Sequence, residues 1–531
     1  MDPADRVPTF KMPRPSRVFT FVVFIACIFS VGYVLKNHIS KVDMSTKPLR
    51  VLMADDENPK DADPARILFN VSWGHLENLA SPLVEWSSDG QIRSGAAKTF
   101  EWHGNELQLH MREDYRTVDG YSLTADDAAF SLKRLIVLAR NTHGFIADFL
   151  CGDKELKSIS DDCPGIRVSG NTLILHTAKG KDFLLKMLAA MDFVVLLKTQ
   201  VDPVTLSIKS YRNTTGPYRL EEDEAGRISY VANRSHWHYS EKMPQVAQLI
   251  PYDPRLKVRD PHSRPVFQLF SDDQADILLN FSSDRSDLYV EAAKSVPDAS
   301  LVPTLDIARV IAVFTPRGVK ELSSQQRIAI GKSVREAINS VIVNGNGVNK
   351  PIEQFFASFG DGALTDLQLK KLRNNFESTA PDNVGSGIRI SLPGSMPHAL
   401  KAIQSRIPEA DCRLDMVDYI EGKSDGEPHV YVITTDTGWT EDLGLLSYTI
   451  NMKQFFPLDS RAGQIWLNEY VDIEDKASRL ERLRELHLRA LSEPWIVPIA
   501  SQEYFTLVRS PWQYTGPKLF NSGALWHLRQ P

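Results

Sequence analysis

The chain has 531 residues, 42 % of them hydrophobic and 24 % charged, with a formal net charge of −6. That length supports two or three domains around a sizeable core, and the composition is that of a globular protein. Low-complexity tracts and short-period repeats are absent, which excludes a disordered chain, a solenoid or a coiled coil. No basic stripe points to nucleic acid as a partner.

The N-terminus departs from this pattern. Residues 18–35, VFTFVVFIACIFSVGYVL, run without a charge between Arg17 and Lys36. As a helix they would reach ~27 Å, close to the hydrocarbon thickness of a bilayer. Three fates are open: a retained signal anchor, a signal peptide cut near Ser30-Val31-Gly32, or a lipoprotein signal at Phe24-Ile25-Ala26-Cys27. The retained anchor is favoured. Lys11, Arg14 and Arg17 would hold residues 1–17 in the cytoplasm, and Ile28 to Leu35 stay apolar where a mature lipoprotein would turn polar. All three fates place the large domain in the periplasm or outside the cell. Residues 1–41 carry a net +4, and subtracting that from the whole-chain −6 leaves −10 on the remainder.

Beyond the polar stretch Val42 to Lys47, Leu49 to Ala54 (LRVLMA) reads as a buried strand, followed by an acidic loop from Asp55 to Pro64. Glu106 to Met111 alternates apolar and polar residues, the pattern of a strand with one solvated face. After a turn at Asp119-Gly120, Thr124 is placed to cap a helix with Ala128, Phe130, Leu132, Leu135 and Ile136 along one side. Gly170 to Thr177 reads as a strand, Phe183 to Met191 as a short helix, and Arg227 to Ala232 and Val266 to Leu269 as further strands. Ser323 to Val343 is an amphipathic helix with Ile328, Ile330, Val334, Ala337, Ile338 and Val341 on its apolar face. Ser391 to Gly394 ends a strand before a helix near Pro397. His429 to Thr434 is a strand, and Ser478 to Leu491 a charged amphipathic helix. This alternation predicts an α/β chain of more than one lobe. In an oxidising compartment, Cys151 and Cys163, which bracket a polar loop, are expected to pair. Cys412 is left as a small buried residue.

Several landmarks occur in a family order. Leu79 to Gly90 (LASPLVEWSSDG) and Ala97 to Trp102 come first. Next is Leu107 to Tyr115, leading into Asp119-Gly120-Tyr121-Ser122-Leu123-Thr124-Ala125-Asp126-Asp127. Thr215-Gly216-Pro217-Tyr218 with Asn233 and Trp237, Gln326 to Ile338, and Asp436 to Asp442 (DTGWTED) complete the series. In these the chain resembles the family 5 extracellular solute-binding proteins, the oligopeptide-, dipeptide- and nickel-binding components of ABC importers. The resemblance runs from Lys47 nearly to the C-terminus. It implies a two-lobed periplasmic-binding-protein-like α/β fold of type II, here behind an N-terminal transmembrane helix. The first lobe would span 47–305, with an extra domain at about 86–205, and the second 306–493. Residues 494–531 would return to the first, with crossings around Leu305 and Pro494. A ligand would sit in a cleft between lobes that closes by hinge motion.

The same resemblance makes Asp442 the carboxylate partner of a peptide's α-amino group, with Gly438 and Trp439 beside it against the peptide backbone. An amine entering a poorly hydrated cleft needs such a partner. The plainer alternatives are a solvated loop carboxylate for Asp442 and core packing for Trp439. Leu443-Gly444-Leu445-Leu446-Ser447 replaces the family's "D-x-x-D-P", which leaves selectivity open. His236-Trp237-His238 could contribute to a metal site but falls on an exposed turn in the family pattern, so no metal is expected. Asp276 reads as structural, and the charges from Glu474 to Arg489 as a solvated helix face. No G-x-x-x-x-G-K-[ST], H-E-x-x-H or G-x-S-x-G is present, and no catalytic constellation or cofactor is expected. The expected partners are a peptide ligand, ABC permease subunits and the cytoplasmic membrane. The alternative is a tethered sensor or assembly protein that kept the fold but lost transport.

Overall fold

The structure is a computed structural model. It describes residues 47–53, 58–66, 70–87, 91–138, 146–152, 155–250, 265–279, 287–303, 308–343, 349–358, 360–378, 386–435, 442–451, 453–516 and 523–531. The apolar run 18–35 lies outside them. Among the described residues no helix is long and apolar enough to cross a membrane.

Two sheets organise the body. The first has seven strands in the spatial order Tyr218–Glu222, Ile228–Ala232, Val246–Ile250, Leu49–Met53, Ile277–Leu279, Phe505–Arg509, Ala299–Pro303. Its centre is parallel: Leu49–Met53 pairs in register with Val246–Ile250 on one side and Ile277–Leu279 on the other. The second has six strands, with Ala308–Phe314 lying between Ile496–Gln502 and Val430–Thr435. The chain passes from the first sheet to the second between Pro303 and Ala308. It returns between Gln502 and Phe505. The change of sheet thus falls later than the Pro494 expected from sequence, because Ile496–Gln502 pairs with Ala308–Phe314.

Ala308–Phe314 (ARVIAVF) is buried throughout, and the alternation of its side chains decides what it holds together. Val310, Ala312 and Phe314 pack with Ile330, Val334, Ala337 and Ile338 of the helix Ser324–Ile342. Ile311 and Val313 point to the other face, where Leu483, Leu486 and Ala490 of the helix Lys476–Ser492 are buried. The helix Ser324–Ile342 starts on a reciprocal cap between Ser323 and Gln326. The expected apolar face is present, except that Ile328 and Val341 are only half-buried.

A third, antiparallel sheet of four strands contains Ala97–His103, Glu106–Met111, Thr172–His176 and Ile166–Ser169. Leu107, Leu109 and Met111 turn inward from the alternating strand. The helix Ala125–Leu138 covers them. It is capped by Thr124, whose hydroxyl donates to Asp127 Oδ2 at 2.6 Å and accepts from Asp127 N–H at 3.2 Å. Phe130 departs from its expected neighbours: it packs with the core of the seven-stranded sheet, while Ala128, Leu132, Leu135 and Ile136 pack beneath the four strands.

One expected strand is a helix. Val266 to Leu269 lies in Pro265–Ser271, a short apolar run whose period does not separate a buried strand from a buried helix. Asp276 is structural, taking the Arg50 guanidinium at 2.7 Å and the Arg50 N–H at 2.8 Å. Cys151 and Cys163, 12 residues apart, form a disulfide, and Cys412 is half-buried. Replacing both bridged cysteines by serine should cost about 3 kcal/mol, because closing a loop of this length restrains the unfolded chain by about that much. A shifted urea midpoint under oxidising conditions, abolished by reductant, would check it.

Candidate functional site

Asp442 opens the helix Asp442–Asn451 and is not a solvated loop carboxylate: it is only 8 % exposed. Its carboxylate accepts a hydrogen bond from Gly362 N–H. Gly360 permits this approach, since a Cβ there would stand 2.6 Å from both carboxylate oxygens. The turn is held from behind by His487, which is fully buried. Its Nε2 accepts from Phe355 N–H at 3.0 Å and its Nδ1 lies 2.9 Å from the Gly362 carbonyl. One neutral tautomer, with Nδ1–H donating, satisfies both. Burial accordingly depresses the imidazole to about 4.

The electrostatics at Asp442 run the other way. Burial pushes its carboxyl up to about 6, and nearby Asp361 adds to the rise, while the Gly362 N–H and Arg309 oppose it. Among the described residues it makes no salt bridge. A carboxylate held in this way is costly to ionise and gains most from a cation brought to it.

A cavity of about 490 Å³ opens at Asp442, within the range of ligand sites. Asp361, Tyr470 and Arg479 line it beside Asp442. The opposite wall comes from the four-stranded unit, with Trp102 on a strand and Lys181, Phe183 and Lys186 on or beside the helix Lys181–Met187. The two walls touch at the rim. Phe183 and Tyr470 lie with ring centroids 6.2 Å apart, and the Arg479 guanidinium sits 4.9 Å from the Phe183 centroid. Asp148 accepts hydrogen bonds from Gln464 at 3.0 Å and Asn468 at 3.2 Å, and Lys179 meets Asp472 at 3.6 Å. Burial raises the Tyr470 hydroxyl to about 12. No strand of the seven-stranded sheet contributes to the lining of this cavity among the described residues.

Of the sequence candidates, Asp442 lies at the cavity, while Gly438 and Trp439 fall outside the described residues. Lys181, Phe183, Lys186, Tyr470 and Arg479 carried no signal. Arg479 had been expected on a solvated face, but the helix Lys476–Ser492 turns it toward Phe183. His236-Trp237-His238 is not an exposed turn. His236 is 3 % exposed, hydrogen-bonded to Ser81 Oγ at 3.0 Å and stacked on Trp237 at 3.9 Å. His238 meets Glu85 at 2.5 Å. Burial holds His236 well below the usual histidine range, with Trp237 and His238 half-buried beside it. Among the described residues no cluster of His, Cys, Asp and Glu is placed to hold a metal.

No family model matches the sequence, and no curated protein is similar enough to match it. Solved structures do match. The Escherichia coli murein tripeptide binding protein MppA aligns with a TM-score of 0.69 at 15 % identity, covering 91 % of this chain and 99 % of that one. Haemophilus influenzae OppA, complexed with the peptide RPPGFSPFR, gives 0.69 at 14 % identity over 91 % and 99 %. An oligopeptide-binding protein of Borrelia burgdorferi, OppAIV, gives 0.71 at 14 % identity over 91 % and 100 %. With its two sheets joined by paired crossings, the chain has the mixed α/β periplasmic-binding-protein-like fold of these peptide- and solute-binding proteins.

Proposed function

We propose that the chain captures short peptides outside the cytoplasmic membrane and hands them to the permease of an ABC-type importer, tethered through residues 18–35. The observation that carries this reading is Asp442: a buried carboxylate without a cationic partner among the described residues, at a cavity walled by residues of the four-stranded unit on one side and of the helices beside the six-stranded sheet on the other. A peptide's α-amino group supplies the missing charge. The aromatic rings of Trp102, Phe183 and Tyr470 supply apolar surface around the rest of the ligand. The binding of peptides by MppA and OppA, named in their structures, supports the ligand class.

The test is mass spectrometry of small molecules released on denaturing the purified chain. Mixed short peptides are expected from the native protein and none from Asp442→Ala. Release of no peptide, together with no thermal shift by peptide libraries, would overturn the reading.

A further inference from the structure

Among the described residues, the Gly362 N–H is the hydrogen-bond donor to the Asp442 carboxylate, so the carboxylate's orientation depends on what holds Gly362. That residue is gripped from its other end as well. Its carbonyl takes the Nδ1–H of His487 at 2.9 Å, while Nε2 of the same ring accepts from Phe355 N–H at 3.0 Å. The ring thereby ties the turn to the segment before it. Gln354 adds a parallel tie, accepting from Leu364 N–H at 2.8 Å.

The helix Lys476–Ser492 makes this grip possible. His487 lies four residues after Leu483 and three after Arg484, so the three side chains share one face. All three meet the turn. Arg484 Nε donates to the Ala363 carbonyl at 3.2 Å, and a Cβ at Gly362 would stand 3.1 Å from Leu483 and run into the Phe356 ring. Phe356 also meets the imidazole edge-on, with ring centroids 4.8 Å apart. The ring is held neutral, because a protonated Nε2 would set a second N–H against that of Phe355. The same helix carries Arg479, Leu480 and Leu483 to the cavity, so one element supplies both the wall and the clamp on the turn.

We infer that His487 is a positioning residue for peptide capture: acting through Gly362, it holds in place the N–H that orients the Asp442 carboxylate at the cavity. This rests on the peptide reading above and deepens it. His487 does not itself line the cavity. A donor already in place leaves the carboxylate ordered before the amine arrives, whereas with a loose one binding must first order it. The same N–H, together with Arg309, opposes the rise that burial and Asp361 impose on the Asp442 carboxyl. Loosening it therefore moves that titration upward.

Two substitutions separate the halves of the clamp. In His487→Asn the amide nitrogen takes the place of Nδ1 and keeps the bond to the Gly362 carbonyl. In His487→Gln the longer side chain puts its oxygen where Nε2 stood and keeps only the bond from Phe355. The full-length chain is titrated calorimetrically, from about pH 5 to about pH 8, with Ala-Ala-Ala, Ala-Glu-Glu and Ala-Lys-Lys. His487→Gln should bind the tightest of them about tenfold more weakly near pH 7.5. The pH below which its affinity falls should move above the wild-type value of about 6, while His487→Asn keeps the wild-type profile. A merely structural residue would lower the urea midpoint in both variants and move the pH profile in neither. An unchanged profile in His487→Gln overturns this inference and leaves peptide capture standing, and binding of none of the three peptides by the wild type overturns both. Hydrogen exchange in the unliganded wild type gives a reading independent of how the variants fold. The Gly362 amide should be as protected as that of Phe355, and rapid exchange at Gly362 overturns the inference.

Discussion

Asp442→Asn should make the unliganded protein more stable at neutral pH while weakening peptide binding by about 100-fold or more. The binding loss follows from the position: truncating one member of a desolvated charge pair costs about 3–5 kcal/mol, and each 1.4 kcal/mol is about tenfold in affinity. The stability gain follows from the sign of the shift. Burial raises the Asp442 carboxyl from its ordinary 3.8 to about 6 in the fold, so the folded state binds the proton more tightly than the unfolded state does. Stability from this group therefore falls as pH rises. The cost is absent below about pH 4 and complete above about pH 6, where it amounts to roughly 3 kcal/mol at 1.36 kcal/mol per unit. Asparagine keeps an oxygen for the Gly362 N–H and removes the charge. The variant should therefore match the wild type near pH 4 and exceed it near pH 7.5 in urea titrations. A carboxylate with a purely structural role would give the opposite result, a loss at every pH. Wild-type peptide affinity should likewise weaken as pH falls through about 6, as the carboxylate becomes protonated.

The regular elements were legible where a single face of the chain dictated them. Glu106–Met111 alternates because one side meets solvent, and its boundaries match the expected strand. Ser323 and Gln326 announce the start of their helix through hydrogen-bond chemistry that depends only on neighbours in sequence. Pro265–Ser271 failed for the converse reason: seven residues are too few for period 2 and period 3.6 to separate. His236 was misplaced because its burial depends on Ser81 and Trp237 enclosing it, and Ser81 is far away in sequence. The cavity was the least legible feature. Asp442 could be singled out through a local motif, but its opposite wall is assembled from residues near 102 and 181–186. Nothing in the spacing of Phe183 and Arg479 foretells a contact that exists only after two sheets have formed.

Arg134→Leu should destabilise the protein by about 3–5 kcal/mol, the range found when one partner of a buried ion pair is removed. Arg134, on the helix Ala125–Leu138, is 1 % exposed, and Asp63, just beyond the first strand of the seven-stranded sheet, is 8 % exposed. The pair is bidentate, Nη1 to Oδ1 at 2.9 Å and Nη2 to Oδ2 at 2.6 Å, and Nε donates to the Leu206 carbonyl at 2.8 Å. Asp63 Oδ1 also accepts from Ala65 N–H at 3.0 Å, so both partners are bonded on several sides. Arg134→Lys should recover little, because an ammonium cannot present two parallel N–H donors to the carboxylate. Asp63→Leu/Arg134→Leu should recover much of the loss, since the largest part of the single-variant cost is the stranded Asp63 charge. Urea denaturation of Arg134→Leu, Asp63→Leu and the double variant completes that cycle, and equal losses in Arg134→Leu and the double variant would show that packing of the arginine stem carries the effect. The pair has a consequence beyond stability. It fixes the helix that covers the four-stranded sheet to the segment leaving the seven-stranded one, and the four-stranded unit carries Trp102, Lys181 and Phe183 to the cavity. Arg134→Leu should therefore weaken peptide binding at temperatures well below its own unfolding, although Arg134 does not line the cavity.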